Sequence, residues 1–183
     1  MENPNILINT PTMSKLVIAW DLDGTLFDSS HRIKFNDDGS FDLDYWIANC
    51  VEEQIFKDEA LPLLELFYEF QKTGFTQIAV TARDICAADL KFFKSKNMDF
   101  KMILHRADSH DLDHVLKDQK LKEFFSANGM IPYMAYDDKE ENLAIFDKYG
   151  FRTFQALYMN EKLKSSSYAD IKDVKPSMFS KTP

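Results

Sequence analysis

Asp21 and Asp23 stand directly after the apolar run Leu16–Trp20 and directly before Gly24 and Thr25, so two carboxylates one residue apart end a hydrophobic segment. Side chains alternate along an extended strand, so residues at i and i+2 point the same way while that geometry lasts. Two unit charges about 4 Å apart repel by about 4 kcal/mol at an effective dielectric near 20. A fold that keeps both ionised needs a cation, and a fold without one must protonate a carboxylate. The pair therefore predicts a metal site, a proton shuttle, or both. A carboxylate can also attack phosphorus and split a hydrolysis into two easier displacements, with a second carboxylate moving the proton.

Other polar residues gather behind later apolar runs. Thr81 and Arg83 follow the second run, His105 and Arg106 the third, and Asp137 and Asp138 the fourth, with Lys117 on a helical pattern between the last two. Ligand sites of open parallel sheets lie outside the carboxyl ends of the strands. The chain order is then D-x-D-G-T, T-x-R, a lysine and D-D. Each group has an ordinary alternative. Thr81 suits a hydroxyl capping the next helix, and Lys117 lies at i+4 from Asp113. Lys120 competes with Lys117 for the lysine role. Asp137 and Asp138 suit the start of a helix near Lys139, but they also offer the hard oxygens that Mg²⁺ takes. Arg106 reads as a surface arginine, and Asp28, His31 and Arg32 read as solvated loop residues.

Five short runs have the composition of buried strands: Leu16–Trp20, Thr76–Thr81, Phe100–Leu104, Tyr133–Tyr136 and Thr153–Leu157. Helical patterns separate them, three ending at Gly74, Gly129 and Gly150, where glycine is the expected C-terminal cap. Strands alternating with helices predict an α/β fold, a parallel five-stranded sheet sandwiched by helices with right-handed crossovers. The exception is 28–59, an insertion over the end of the first strand, with a turn at Asp38–Ser40, a short amphipathic helix at Tyr45–Phe56, and no room for a large cap domain. Residues 1–14 read as a flexible leader, 15–160 as one domain, and 161–183 as a polar tail.

The 183 residues carry 22 Lys and Arg against 30 Asp and Glu, a net charge of -8, which argues against broad binding of nucleic acid or anionic membranes. The two cysteines match no spaced metal motif and predict free thiols in a reducing, cytoplasmic setting. No apolar stretch approaches the roughly 18 residues of a membrane span.

The segments WDLDGTLFD, VTAR and YDDKEEN, together with Lys117, resemble the haloacid dehalogenase-like hydrolase superfamily over roughly residues 15–158. Within it, LHRADSHDLDHVLKDQKLKEF and MAYDDKEENLAIFDKYGFRTFQ are similar to the phosphatase domain of phage polynucleotide kinases and related stand-alone phosphatases. The stretch ADSHDLD departs from that pattern, lacking a glycine and a second arginine before Asp113. The resemblance implies a Rossmann-like sheet and a Mg²⁺-dependent phosphomonoesterase. Asp21 would be the nucleophile and Asp23 an acid/base of moderately raised pKa. Thr81 and Lys117 would hold phosphoryl oxygens, and Gly24, Thr25, Arg83 and Arg106 would serve the substrate. Asp21, Asp137, Asp138 and the backbone of Asp23 would hold the metal. The implied substrate is a small phosphorylated compound, a nucleotide or a 3'-phosphorylated strand end. Another phosphorylated metabolite and a non-catalytic Mg²⁺/phosphate-binding module are the alternatives, although binding alone would not require Asp23.

Overall fold

The computed structural model describes residues 12–107, 109 and 111–165. In chain order the elements are β1 (Leu16–Trp20), β2 (Phe27–Asp28), α1 (Leu43–Ala48), α2 (Glu52–Ile55), β3 (Glu59–Ala60), α3 (Leu63–Thr73), β4 (Thr76–Val80), α4 (Ala87–Ser95), β5 (Met102–Leu104), α5 (Asp113–Ala127), β6 (Ile131–Asp137), α6 (Glu140–Lys148), β7 (Arg152–Gln155) and α7 (Ala156–Ser165). Five strands pair in parallel in the order β5-β4-β1-β6-β7. The chain runs outward from β1 through β4 to β5, then returns to the other side for β6 and β7. The order thus reverses about β1, and the crevice at such a switch point is where open sheets bind ligands.

The period of two in β1 divides its side chains between two cores. Ile18 and Trp20 join Phe67 and Phe92 on one face, while Val17 and Ala19 join Phe124 and Phe146 on the other. Trp20 stacks on Tyr136 with ring centroids 4.3 Å apart, and its indole N–H donates to Gln77 at 2.8 Å. Burial on both faces is what fixes a parallel sheet, and the α/β expectation holds.

Several boundaries differ from the expected ones. The third strand begins at Met102, not Phe100, and the fifth ends at Gln155, with Leu157 inside α7. There the Gln155 side chain accepts from the Tyr158 amide at 2.9 Å and starts the helix. That helix also takes in Asn160 and reaches Ser165, so the start of the expected polar tail is ordered; residues 166–183, like residues 1–11 of the leader, lie outside the described residues. Tyr45–Phe56 is two helices, because Asn49 turns its side chain back onto the Tyr45 carbonyl at 2.8 Å and Val51 is extended. Gly74 and Gly150 take the left-handed cap conformation, whereas α5 ends on an extended Asn128 and Gly129 does not.

The insertion leaves through β2 and returns through β3. These pair antiparallel, Phe27 with Ala60 and Asp28 with Glu59, and the Leu61 amide donates to the Leu26 carbonyl at 3.0 Å. The root of the excursion is therefore stapled beside the Asp21–Thr25 loop. Among the described residues no helix is long and apolar enough to cross a membrane.

Candidate active site

The Asp21 amide donates to the Tyr136 carbonyl at 2.9 Å, extending the β1–β6 ladder one residue past β1 and fixing the backbone that carries the carboxylate. Lys117, from the middle of α5, reaches into the same place with its side chain 1% exposed. Its Nζ donates to Asp21 Oδ1 at 2.7 Å and to Asp137 Oδ2 at 2.5 Å. Lys120 instead lies 3.9 Å from Glu123 on the helix surface, so the geometry separates the two lysines. Asp113 pairs with Arg106 and Lys139, so the i,i+4 hydrogen bond to Lys117 is not the one formed.

Asp137 is fully buried and uses its other oxygen to accept from the Lys139 amide and from Asn142 Nδ2, both at 2.9 Å. It therefore also orders the start of α6, as the helix-start reading expected. Asp138 presses against the loop after β1: a Cβ on Gly24 would lie 2.7 Å from Asp138 Oδ2, and Gly24 has a φ of +77°. Both facts restrict the position to glycine. Asp21, Asp137 and Asp138 each place a carboxylate oxygen within 4.8 Å of the others.

Burial pushes the Asp21 pKa up, and although Lys117 opposes it, Asp137 and Asp138 leave it well above the usual carboxylate range. Burial and the neighbouring Asp137 push Asp138 up to about 6. Three clustered hard oxygens with no sulfur or imidazole among them suit a divalent cation of the Mg²⁺ kind. Next to Asp137, Asn142 donates from Nδ2 and leaves its Oδ1 buried without a hydrogen-bond partner. The residues present fit the group.

Asp23 faces a different wall. Arg83 grips its carboxylate from Nε, at 3.1 Å, and from Nη2, while Ser29 Oγ donates at 2.6 Å and Arg32 Nη2 lies 3.8 Å away. Arg83 also donates to Asp89 at 2.7 Å and to Asp58 at 3.0 Å. Asp58 takes Arg32 in a fork at 2.9 and 2.8 Å, and the Arg32 guanidinium lies 4.1 Å from the Trp46 ring centroid. Burial alone would raise the Asp23 pKa, but the charge and hydrogen bonds of Arg83, then Ser29 and Arg32, bring it below the ordinary value. The raised pKa expected of this acid/base is thus corrected: two cations and a serine hydroxyl outweigh the effect of burial. Its side chain is also not one of the three clustered carboxylates, so any Asp23 contribution to a metal is left to its backbone.

Three residues expected to serve the substrate have partners within the protein. Arg83 has no exposed side-chain surface and is committed to three aspartates, which makes it an anchor for Asp23. Arg106 donates to the carbonyls of Ala82, Ser109 and Asp111 and to Asp113, bracing its own loop. The Thr25 amide donates inward to the Leu22 carbonyl at 3.3 Å, and its hydroxyl faces Asp21 Oδ2 at 3.4 Å. Thr81 sits buried at the end of β4, where its Oγ1 accepts from the Arg83 amide at 3.1 Å.

Asp58 and Asp89 were missed as parts of the site, and Arg32, expected as a solvated loop residue, is instead fully buried against Asp58. Asp89 was legible in principle, because it shares the i, i+3, i+4 spacing of a buried helix face with Phe92 and Phe93. Arg32 and Asp58 carry no such signal: they lie at opposite ends of the insertion and meet only because β2 pairs with β3.

Residues 8–182 match the family model described as Bacteriophage T5 5'-deoxynucleotidase. The 5'-deoxynucleotidase of Escherichia phage T5 is 30% identical over 160 residues, which is 85% of this chain and 60% of that protein, so the chain spans about three-fifths of the curated relative it matches. Among solved structures, one chain of a Pnkp1/Rnl/Hen1 complex superposes with a TM-score of 0.62 at 17% identity, over 81% of this chain and 47% of that one. A haloacid dehalogenase-like hydrolase from Streptococcus pneumoniae gives a TM-score of 0.54 at 16% identity, over 82% and 92% of the two chains. A haloacid dehalogenase superfamily hydrolase from Geobacter sulfurreducens gives 0.56 at 12% identity, over 76% and 88%. The fold is that of the haloacid dehalogenase-like hydrolases, and by the span of its sequence match the chain belongs to the Bacteriophage T5 5'-deoxynucleotidase family.

Proposed function

We propose that this chain is a Mg²⁺-dependent phosphomonoesterase that takes the phosphoryl group of a nucleotide onto Asp21, with deoxynucleoside 5'-monophosphates as its substrate class. One observation carries the reading: the buried Asp21 carboxylate lies between Lys117 and two further aspartates, with a second, arginine-held carboxylate two residues on. The phage T5 relative, named a 5'-deoxynucleotidase, supports the choice of 5'-nucleotides over the 3'-phosphorylated ends that the sequence also allowed.

Phosphoryl transfer asks mostly for positioning and charge stabilisation. One Asp21 oxygen forms a bond to phosphorus as the ester oxygen departs, and Asp23 gives that oxygen a proton. In the second displacement Asp23 takes a proton from water, which attacks phosphorus and frees Asp21. The arginines keep Asp23 ionised in the free protein; a phosphate dianion arriving beside it adds negative charge and raises its proton affinity. Lys117 and the Thr81 hydroxyl hold the non-bridging oxygens. When bound through Asp21, Asp137, Asp138 and the Asp23 carbonyl, Mg²⁺ neutralises the charge that otherwise keeps carboxylate and phosphate apart.

The test is phosphate release from a panel of 5'- and 3'-deoxynucleoside monophosphates, ribonucleotides and 3'-phosphorylated oligonucleotides, each with Mg²⁺ and with EDTA. The highest kcat/KM is expected on the 5'-deoxynucleotides, with no turnover in EDTA. Preference for 3'-phosphorylated oligonucleotides would replace the substrate class, and silence on every ester with Mg²⁺ present would favour the binding module.

A further inference from the structure

Asn160 lies on α7, the last residue of the expected domain before the polar tail, and is only 4% exposed. Its Nδ2 donates to the Thr25 carbonyl at 3.0 Å and its Oδ1 accepts from the Leu63 amide at 2.9 Å. Leu63 opens α3, and the preceding Pro62 offers no side-chain cap, so a different helix supplies the partner for one of the amides that a helix start leaves unpaired. Thr25 immediately precedes the way out to the insertion and Leu63 follows the way back. One amide group thereby ties α7 to both sides of that seam.

Thr25 carries this tie to the chemistry. Its hydroxyl faces Asp21 Oδ2 at 3.4 Å, the oxygen that Lys117 leaves free, since Lys117 holds Oδ1. At that length a small shift of the loop is enough to break the contact. We infer that Asn160 is a positioning residue, which through the Thr25 backbone and hydroxyl fixes the side-chain orientation of Asp21. The inference rests on Asp21 being the nucleophile.

Asn160→Asp keeps the acceptor for Leu63 and removes the donor to Thr25, while Thr25→Val removes the hydroxyl at nearly constant volume. Each is expected to lower kcat about tenfold, equivalent to about 1.4 kcal/mol, with KM within about twofold of the parent. Thr25→Ser retains the parent kcat. Because both changes act through one contact, the double variant should be no slower than the slower single. Independently of turnover, the Mg²⁺ concentration that half-saturates the rise in thermal midpoint should increase several-fold in Asn160→Asp. Parental kcat in Asn160→Asp, or losses that multiply in the double variant, would overturn the inference. Should the parent protein hydrolyse no ester, the proposed function fails and the Mg²⁺ midpoint alone decides: a rise upholds Asn160 as positioning the Asp21 carboxylate, and an unchanged value overturns it.

Discussion

Asp21 and Asp23 occupy the same loop one residue apart, and their surroundings are opposite. Asp21 meets two carboxylates and a single lysine, and its proton affinity rises; Asp23 meets two arginines and a serine, and its proton affinity falls. The strand alternation that suggests one shared spot lasts only as long as the strand, and β1 ends at Trp20, before either aspartate. What the contrast teaches is that the floor sets one lysine against three aspartates, Asp21, Asp137 and Asp138, whereas the wall sets two arginines against three, Asp23, Asp58 and Asp89. In the proposed function the cation belongs to the floor.

The largest effect expected from breaking this arrangement is on turnover. Asp21→Asn preserves shape and removes the attacking charge, and kcat should fall by about 10⁴-fold or more, measured by phosphate release with Mg²⁺ present. Next in size, Lys117→Met and Arg83→Met each strand buried carboxylates and should each cost about 3–5 kcal/mol in urea denaturation without metal. Saturating Mg²⁺ should return much of the Lys117→Met loss and little of the Arg83→Met loss, because only the floor has oxygens free to accept a divalent ion. Equal rescue of both would erase the distinction between floor and wall.

Smaller still is the effect of pH at Asp138, whose pKa in the folded protein is pushed up to about 6 by burial and Asp137, from 3.8. A carboxyl raised on folding contributes stability below the unfolded value and loses it as pH rises through the folded one. Metal-free protein should therefore lose thermal midpoint between about pH 4 and 6, and Asp138→Asn should flatten that slope. At pH 7 the variant should melt a few degrees above the parent, since about 1 kcal/mol moves the midpoint of a chain this size by about 2–4 °C. A slope unchanged by the substitution would place the clustered charge elsewhere.

The sheet and the acidic floor were legible because each is written in short stretches. Leu16–Trp20 matches β1 residue for residue, Asp21 directly follows it, and Asp137 ends and Asp138 follows β6, whose apolar run announces them. Lys117 could be named but not separated from Lys120, since the choice depends on which face of α5 turns to the sheet. The wall was not legible. Arg32 and Asp58 meet across the insertion through a pairing of only two residues on each side, and no run of that length announces itself. The bracing role of Arg106 was hidden for a related reason: an arginine at a strand end looks available until the carbonyls of its own loop are seen to take its donors.

The division of labour between the two aspartates is tested most directly by locating the phosphoryl group during turnover. Asp23→Asn should slow the attack of water while leaving capture intact for an aryl phosphate, whose leaving group needs little protonation. Acid quenching of that variant with Mg²⁺ and a labelled aryl phosphate, followed by peptide mapping, should find the phosphoryl group on Asp21 and none on the Asp21→Asn control. Label on Asp23 in the parent enzyme, or turnover of the parent without label on any carboxylate, would contradict the account.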